Sequence, residues 1–291
     1  VANMIIEKID RILNDNIFEG INIHYFGGEP LLNIPVLIYL DENIKKITDK
    51  IGIVYKAFLT TNGSMLSKEL LQKVKFSSIQ LTFDGLEKTH DRLRVSDHFH
   101  FKEEIELIEN IMNFSQAKVL LRTNICKENK DEIIALHKYI FEKFGNERIE
   151  INPNRTIKYH QDDSFEMLSV QEYAEVAYQI KLLWSEQKGK FELPVPRSTP
   201  YKFPYGNAYA ISPEGYCTFC SGSMDQEKKY FFDVDIENKK MFSVRKECKK
   251  CNILPLCLGG CIIQYNLRAG ACTYEKYELK NILISYIKHI S

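Results

Sequence analysis

A chain of 291 residues that is 44% hydrophobic can bury one large core and one small one, which excludes a disordered polypeptide. Lys plus Arg and Asp plus Glu both total 39, so there is no broad basic field and no nucleic-acid partner is expected. No apolar run approaches the roughly 20 residues of a membrane span, and the opening VANMIIEKID lacks a secretory n-region and cleavage site; the expectation is a cytoplasmic protein with no membrane partner.

Ile5, Ile9, Ile12 and Leu13 are spaced to share one helical face from the first residues onward. A domain seldom opens this way, and the natural N-terminus is expected upstream of Val1. Short β-rich runs follow at 21–26, 54–59, 78–83, 118–124 and 148–152, separated by helical patterns at 34–50, 67–74, 102–114 and 130–144. Such alternation is the signature of βαβ units around a parallel sheet. The strand ends run into Gly27-Gly28, Asn62-Gly63 and Asp84-Gly85, and ligands in parallel α/β folds sit at the carboxyl ends of strands. A further helix is expected at 170–184. The Pro-rich LPVPRSTPYKFPYG after it marks a boundary, giving domains at 1–190 and 191–291.

Seven of the eight cysteines fall after that boundary, while Cys126 stands apart as a small buried hydrophobe. Cys248-x2-Cys251-x5-Cys257-x3-Cys261 places four thiols within fourteen residues, with Cys217-x2-Cys220 before them and Cys272 after. Without a secretory signal, reduced thiolates favour metal ligation over disulfides. The spacing alone suits zinc and iron-sulfur equally well. In the first half, HYFGGEPLL at 24–32 exposes backbone at Gly27 and Gly28 and offers Glu29 as an anionic acceptor for an ammonium group, although the same four residues in isolation would also make an ordinary βα turn.

Taken in order, GGEP at 27–30, LTTNG at 59–63, LTFDG at 81–85 with His90-Asp91 and Arg94, and ISPEGYCTFC at 211–220 with the later cysteines resemble the radical SAM superfamily with its SPASM extension, as found in peptide-modifying enzymes and anaerobic sulfatase maturases. The resemblance covers nearly the whole chain. It implies an α/β fold, a partial (β/α)6 radical SAM barrel followed by a small Cys-rich SPASM domain, acting on a side chain of a peptide or protein substrate. S-adenosylmethionine (SAM) and one or two auxiliary 4Fe-4S clusters are the implied cofactors, and a reductant protein the implied second partner.

Carried over residue by residue, the resemblance assigns the SAM site to Gly27, Gly28, Glu29, Pro30, Thr61, Asn62, Thr82 and Asp84. Arg122 is the candidate partner for the SAM carboxylate, because a guanidinium fork matches that group, with a surface salt bridge as the alternative reading. For His90 and Arg94 two readings stand equally: lining of the substrate mouth and a solvated structural role. The metal ligands are Cys217, Cys220, Cys248, Cys251, Cys257, Cys261 and Cys272, with Cys248, Cys251, Cys257 and Cys272 completing one cluster. A second cluster, on Cys220 and Cys261, lacks the family's earlier cysteine; either Cys217 substitutes, or the cluster is absent or has an open iron site. The family's Cys-x3-Cys-x2-Cys motif is absent from this sequence. In relatives it precedes a helix like 2–15, so the chain is expected to begin downstream of it and, alone, to be inactive. The alternatives are a sulfatase-maturing enzyme and a non-catalytic, metal-stabilised peptide-binding module.

Overall fold

A computed structural model describes residues 1–15, 17–145, 148–158, 165–191, 193–195, 208–218, 229–230, 246–260 and 272–290. Two compact units emerge, one of Ala2–Ile125 with Asn129–Asn154, the other of Val1, Cys126–Glu128 and Arg155–Ser291.

The first unit opens with α1 (Ala2–Asp15), which buries Ile9 and Leu13. It continues with β1 (Gly20–Tyr25), α2 (Ile34–Ile51), β2 (Val54–Thr60), α3 (Lys68–Lys73), β3 (Phe76–Thr82), α4 (Glu87–Leu93), α5 (Phe101–Phe114), β4 (Lys118–Ile125), α6 (Lys130–Phe144) and β5 (Ile149–Arg155). The strands lie in sequential order, β1-β2-β3-β4-β5. Pairing is parallel from β1 to β4, with Tyr25 opposite Leu59, Thr60 opposite Gln80 and Thr82 opposite Arg122.

Parallel strands joined by helices cross over right-handedly almost without exception, so a sequential order puts every crossover helix on the same face. The burial pattern agrees. Ile79, Leu81, Val119 and Leu121 are wholly buried, together with Ile108 and Ile111 of α5 and Ile133 of α6. The alternate residues form a second, polar face. There His24 Nε2 lies 2.8 Å from Thr60 Oγ1, and Asn152 donates to Gln80 Oε1 at 3.0 Å. Local signals set the helix limits. Asn33 accepts the Val36 N–H to start α2, and Glu103 Oε2 accepts the His100 N–H at 3.0 Å at the start of α5.

The second unit contains α7 (Val170–Lys188), opened by a Ser169–Glu172 capping box. Strands β6 (Ala210–Ile211), β7 (Tyr216–Thr218) and β8 (Lys229–Tyr230) pair antiparallel in a small sheet. A 3-10 turn (Lys246–Lys250), α8 (Leu254–Cys257) and a long α9 (Glu275–Ile290) follow. α9 packs on α7: Lys181 Nζ reaches Glu278 Oε1 at 2.6 Å, Tyr178 hydrogen-bonds Ser285, and Tyr173 meets Tyr274 edge to face. The sequence reading anticipated hairpins and metal loops here, without α9; it also missed α4, whose EKTHDRL has too few apolar positions to show a period.

Candidate cofactor-binding site

β1 delivers the chain to Gly27 and Gly28, both solvent-exposed. Gly27 has φ +156°, and a Cβ added at either glycine would meet nothing within 4 Å. The backbone here borders open space of a kind that a ligand can occupy.

Glu29 does more than offer a free acceptor. Its Oε1 accepts the Leu31 N–H at 3.1 Å and the Thr61 hydroxyl at 2.7 Å, while Oε2 accepts the Asn62 N–H at 2.7 Å. The carboxylate thus caps the 3-10 turn that Pro30 begins, which buries Leu31, and clamps the end of β1 to the end of β2. Thr61 Oγ1 in turn accepts the Gly63 N–H, and Asn62 Oδ1 accepts from the Ser64 N–H and hydroxyl. Three of the expected site residues, Glu29, Thr61 and Asn62, are therefore in direct contact.

A second group forms where β3 and β4 end. Asp84 Oδ2 accepts from Arg94 at 3.2 Å and Oδ1 from the Asn124 N–H at 3.1 Å; its carbonyl accepts from Asn129 Nδ2 at 2.8 Å. Thr82 lies opposite Arg122 in the ladder. Arg122 Nε donates to Asn124 Oδ1 at 2.9 Å, and among the described residues nothing accepts from its two terminal nitrogens. Its fork is half-buried and available to a carboxylate.

His90 is not at a mouth. It is 3% exposed, its Nε2 3.2 Å from Glu104 Oε2, and its Nδ1 accepts the Asp84 N–H at 3.4 Å. Burial pushes the Glu104 carboxyl above the usual range, and the hydrogen bond from His90 works against that. Arg94 is about one-third exposed, at the edge of the same group. Sequence reasoning passed over Glu104, Asn124 and Asn129; the only trace of Asn124 was its alternation with Arg122 along β4.

The cysteines are less complete. Cys248 lies in the 3-10 turn, and Cys251 follows it with its N–H on the Cys248 carbonyl at 3.0 Å. Cys257 closes α8, is 5% exposed and accepts the Gly259 N–H on Sγ at 3.4 Å. Leu258, Gly259 and Gly260 are consecutive left-handed residues that curl the backbone after it. Cys217 is buried in β7, Cys272 is half-buried before α9, and Cys126 is buried. Cys220 and Cys261 lie outside the described residues. Among the described residues no three His, Cys, Asp or Glu side chains converge on a metal position. The soft thiol donors suit an iron-sulfur cluster chemically, but the described residues do not gather into one. For SAM, by contrast, the open glycine edge and the unfilled Arg122 fork fit.

No protein-family model matches the chain, and no curated protein sequence does. Among solved structures, native anSMEcpe with bound AdoMet is similar at a TM-score of 0.73, covering 99% of this chain and 90% of that one at 16% identity. The anSMEcpe structure with AdoMet and the Kp18Cys peptide gives 0.71, 99%, 89% and 16%. Streptococcus suis SuiB bound to S-adenosylmethionine gives 0.57 over 90% of this chain and 66% of that one, at 17% identity. Backbone agreement of this extent at such low identity is a statement about architecture, and the chain has the fold of the radical SAM maturases that carry a SPASM domain.

Proposed function

We propose that this chain binds SAM along the carboxyl edge of its parallel sheet and serves radical modification of a side chain in a peptide or protein substrate. The observation that carries the reading is the meeting at that edge of an open Gly27-Gly28 backbone, the Glu29-Thr61-Asn62 clamp and an Arg122 fork unfilled among the described residues, in a fold shared with AdoMet-bound structures, two of which also hold a peptide. Residues 1–190 are assigned to the barrel part, with α7 as its last helix, and 191–291 to the auxiliary domain.

Each residue type has a distinct task. Gly27 and Gly28 let the ligand approach main-chain groups that any side chain would cover. Arg122 supplies a bidentate donor for the amino-acid carboxylate, while Thr82 and Asp84 fix the neighbouring strand end. Reduced SAM supplies the radical chemistry; the protein binds, orients and excludes water. Cys217, Cys220, Cys248, Cys251, Cys257, Cys261 and Cys272 are the proposed ligands of one or two auxiliary 4Fe-4S clusters, and a reductant protein is the proposed electron source. Anaerobic sulfatase maturation, giving formylglycine, is the narrower second reading, favoured by the higher and longer structural agreement with anSMEcpe than with SuiB.

A polypeptide of residues 1–291, reconstituted anaerobically, is expected to turn brown with iron, to bind SAM by ligand-detected NMR and, since these residues contain no Cys-x3-Cys-x2-Cys motif, to yield no deoxyadenosine under dithionite. Cys257→Ala should lose iron and protease resistance together, since metal-site free energy is folding free energy in a small Cys-rich unit, and Cys126→Ala should lose neither. Colourless protein holding stoichiometric zinc would overturn the cluster assignment. Absence of SAM binding would leave a metal-stabilised peptide-binding module as the better reading.

A further inference from the structure

His90 and Glu104 form a buried polar pair in a setting where apolar residues would pack at lower cost. Their side chains are 4% and 2% exposed, and the imidazole lies between Phe83 and Phe101, with ring centroids 5.4 and 5.6 Å away. Replacing such a pair with hydrophobic residues of similar volume is often neutral or stabilising, so stability does not explain the arrangement. Both ring nitrogens are engaged. Because Nδ1 accepts the Asp84 N–H, the ring proton is on Nε2 and points at Glu104.

From this pair the bonds run on in one direction. Glu104 Oε2 to His90 Nε2 is 3.2 Å, His90 Nδ1 to the Asp84 N–H 3.4 Å, Asp84 Oδ1 to the Asn124 N–H 3.1 Å, and Asn124 Oδ1 to Arg122 Nε 2.9 Å. The chain begins at a buried carboxylate on α5 and ends on the one guanidinium nitrogen of Arg122 that does not belong to its free fork. Asp84 is also held by Arg94 on Oδ2 and by Asn129 on its carbonyl, and Gly85 beside it has φ +148°, where a Cβ would lie 2.8 Å from Thr89.

We propose that His90, oriented by Glu104, is a positioning residue that aims the Arg122 fork at the ligand carboxylate through Asp84 and Asn124. The inference rests on the SAM reading of the site for its ligand, and on the hydrogen-bond chain alone for its linkage. It requires His90 to affect recognition of a carboxylate that it does not touch.

The test compares SAM with decarboxylated SAM, which has the same adenosine, sulfonium and amine but no carboxylate, by equilibrium dialysis. Wild-type protein should favour SAM at least tenfold. His90→Leu, which cannot accept the Asp84 N–H, should weaken SAM about tenfold and leave decarboxylated SAM within about twofold, the scale of one misplaced charge-assisted bond. His90→Asn places an amide oxygen near the lost Nδ1 and should recover most of the SAM affinity; Glu104→Gln, which still accepts from Nε2, should bind as wild type. These two milder variants keep the comparison open if His90→Leu folds poorly. Equal weakening of both ligands, or of neither, overturns the proposal. Amide hydrogen exchange without ligand separates it from the SAM reading: the Asp84 and Asn124 N–H groups should exchange at least tenfold faster in His90→Leu. Unchanged exchange breaks the linkage even if SAM binds, whereas faster exchange in protein that binds no SAM upholds the linkage and removes the ligand assignment instead.

Discussion

Glu29→Ala should destabilise the unit that holds the parallel sheet by about 3 kcal/mol and remove measurable SAM binding. The carboxylate accepts three hydrogen bonds, from the Leu31 and Asn62 N–H groups and the Thr61 hydroxyl, and two of them join segments 32 and 33 residues apart. Bonds to an ionised acceptor contribute roughly 1.5–3 kcal/mol each, but they share one side chain and are not additive, which gives the lower total. Glu29→Gln should fall between the two, since its amide keeps one oxygen for Leu31 and Thr61 while its NH2 opposes the Asn62 N–H. Urea denaturation with Asn62 amide exchange measures the effect. A variant with lost SAM affinity but unaltered stability and exchange would mean that Glu29 acts on the ligand alone and clamps nothing.

Acid should weaken the fold through His137 by about 1.4 kcal/mol per pH unit. This imidazole on α6 is fully buried, 3.1 Å from Thr123 Oγ1, and burial pushes its pKa down from 6.5 to about 3. Between those values the unfolded chain binds a proton that the folded chain refuses. The stabilisation is therefore complete above about pH 6.5 and declines as the pH falls toward 3, by about 2 kcal/mol at pH 5. Glu104, Asp41 and Glu278 work the other way, because burial raises their carboxyls above the usual range and protonation then relieves the folded state. His137→Gln isolates the histidine. Its stability difference between pH 7 and pH 5, from urea titrations, should be smaller than the wild-type difference by about 2 kcal/mol; identical differences would refute the assignment.

The strands were legible because β-rich runs end in turn chemistry, and the observed limits moved by one to three residues: β2 runs on to Thr60, β4 to Ile125 and β5 to Arg155. What failed to show was pairing. Glu29 reads in sequence as a free anion after two glycines, and only the β1–β2 register brings Thr61 and Asn62 onto it. Gln80 and Asn152 stand 72 residues apart, so the polar face that they help to form could be inferred from alternation on each strand but not as a connected surface. His90 was misplaced for a related reason. A histidine followed by Asp91 in a polar stretch resembles an exposed group, whereas α4 turns it inward between two phenylalanines. The cysteine spacing announced metal chemistry, yet spacing does not position thiols in space, and the described ones are not assembled.

The contact of α7 with α9 has a consequence for biosynthesis. Lys181 and Glu278 are separated by 97 residues, and Tyr178 and Ser285 by 107. At about 5–20 residues per second, the ribosome completes α7 roughly 5 to 20 seconds before the residues that bind it are translated. The parallel sheet has no such wait, since its strands pair in the order in which they are synthesised. During that interval the side of α7 that later receives Tyr274, Glu278 and Ser285 is uncovered in the nascent protein, and the Cys-rich segment between them emerges while its closing helix is still unmade. Conditions that slow translation would lengthen the period in which those thiols are open to oxidants.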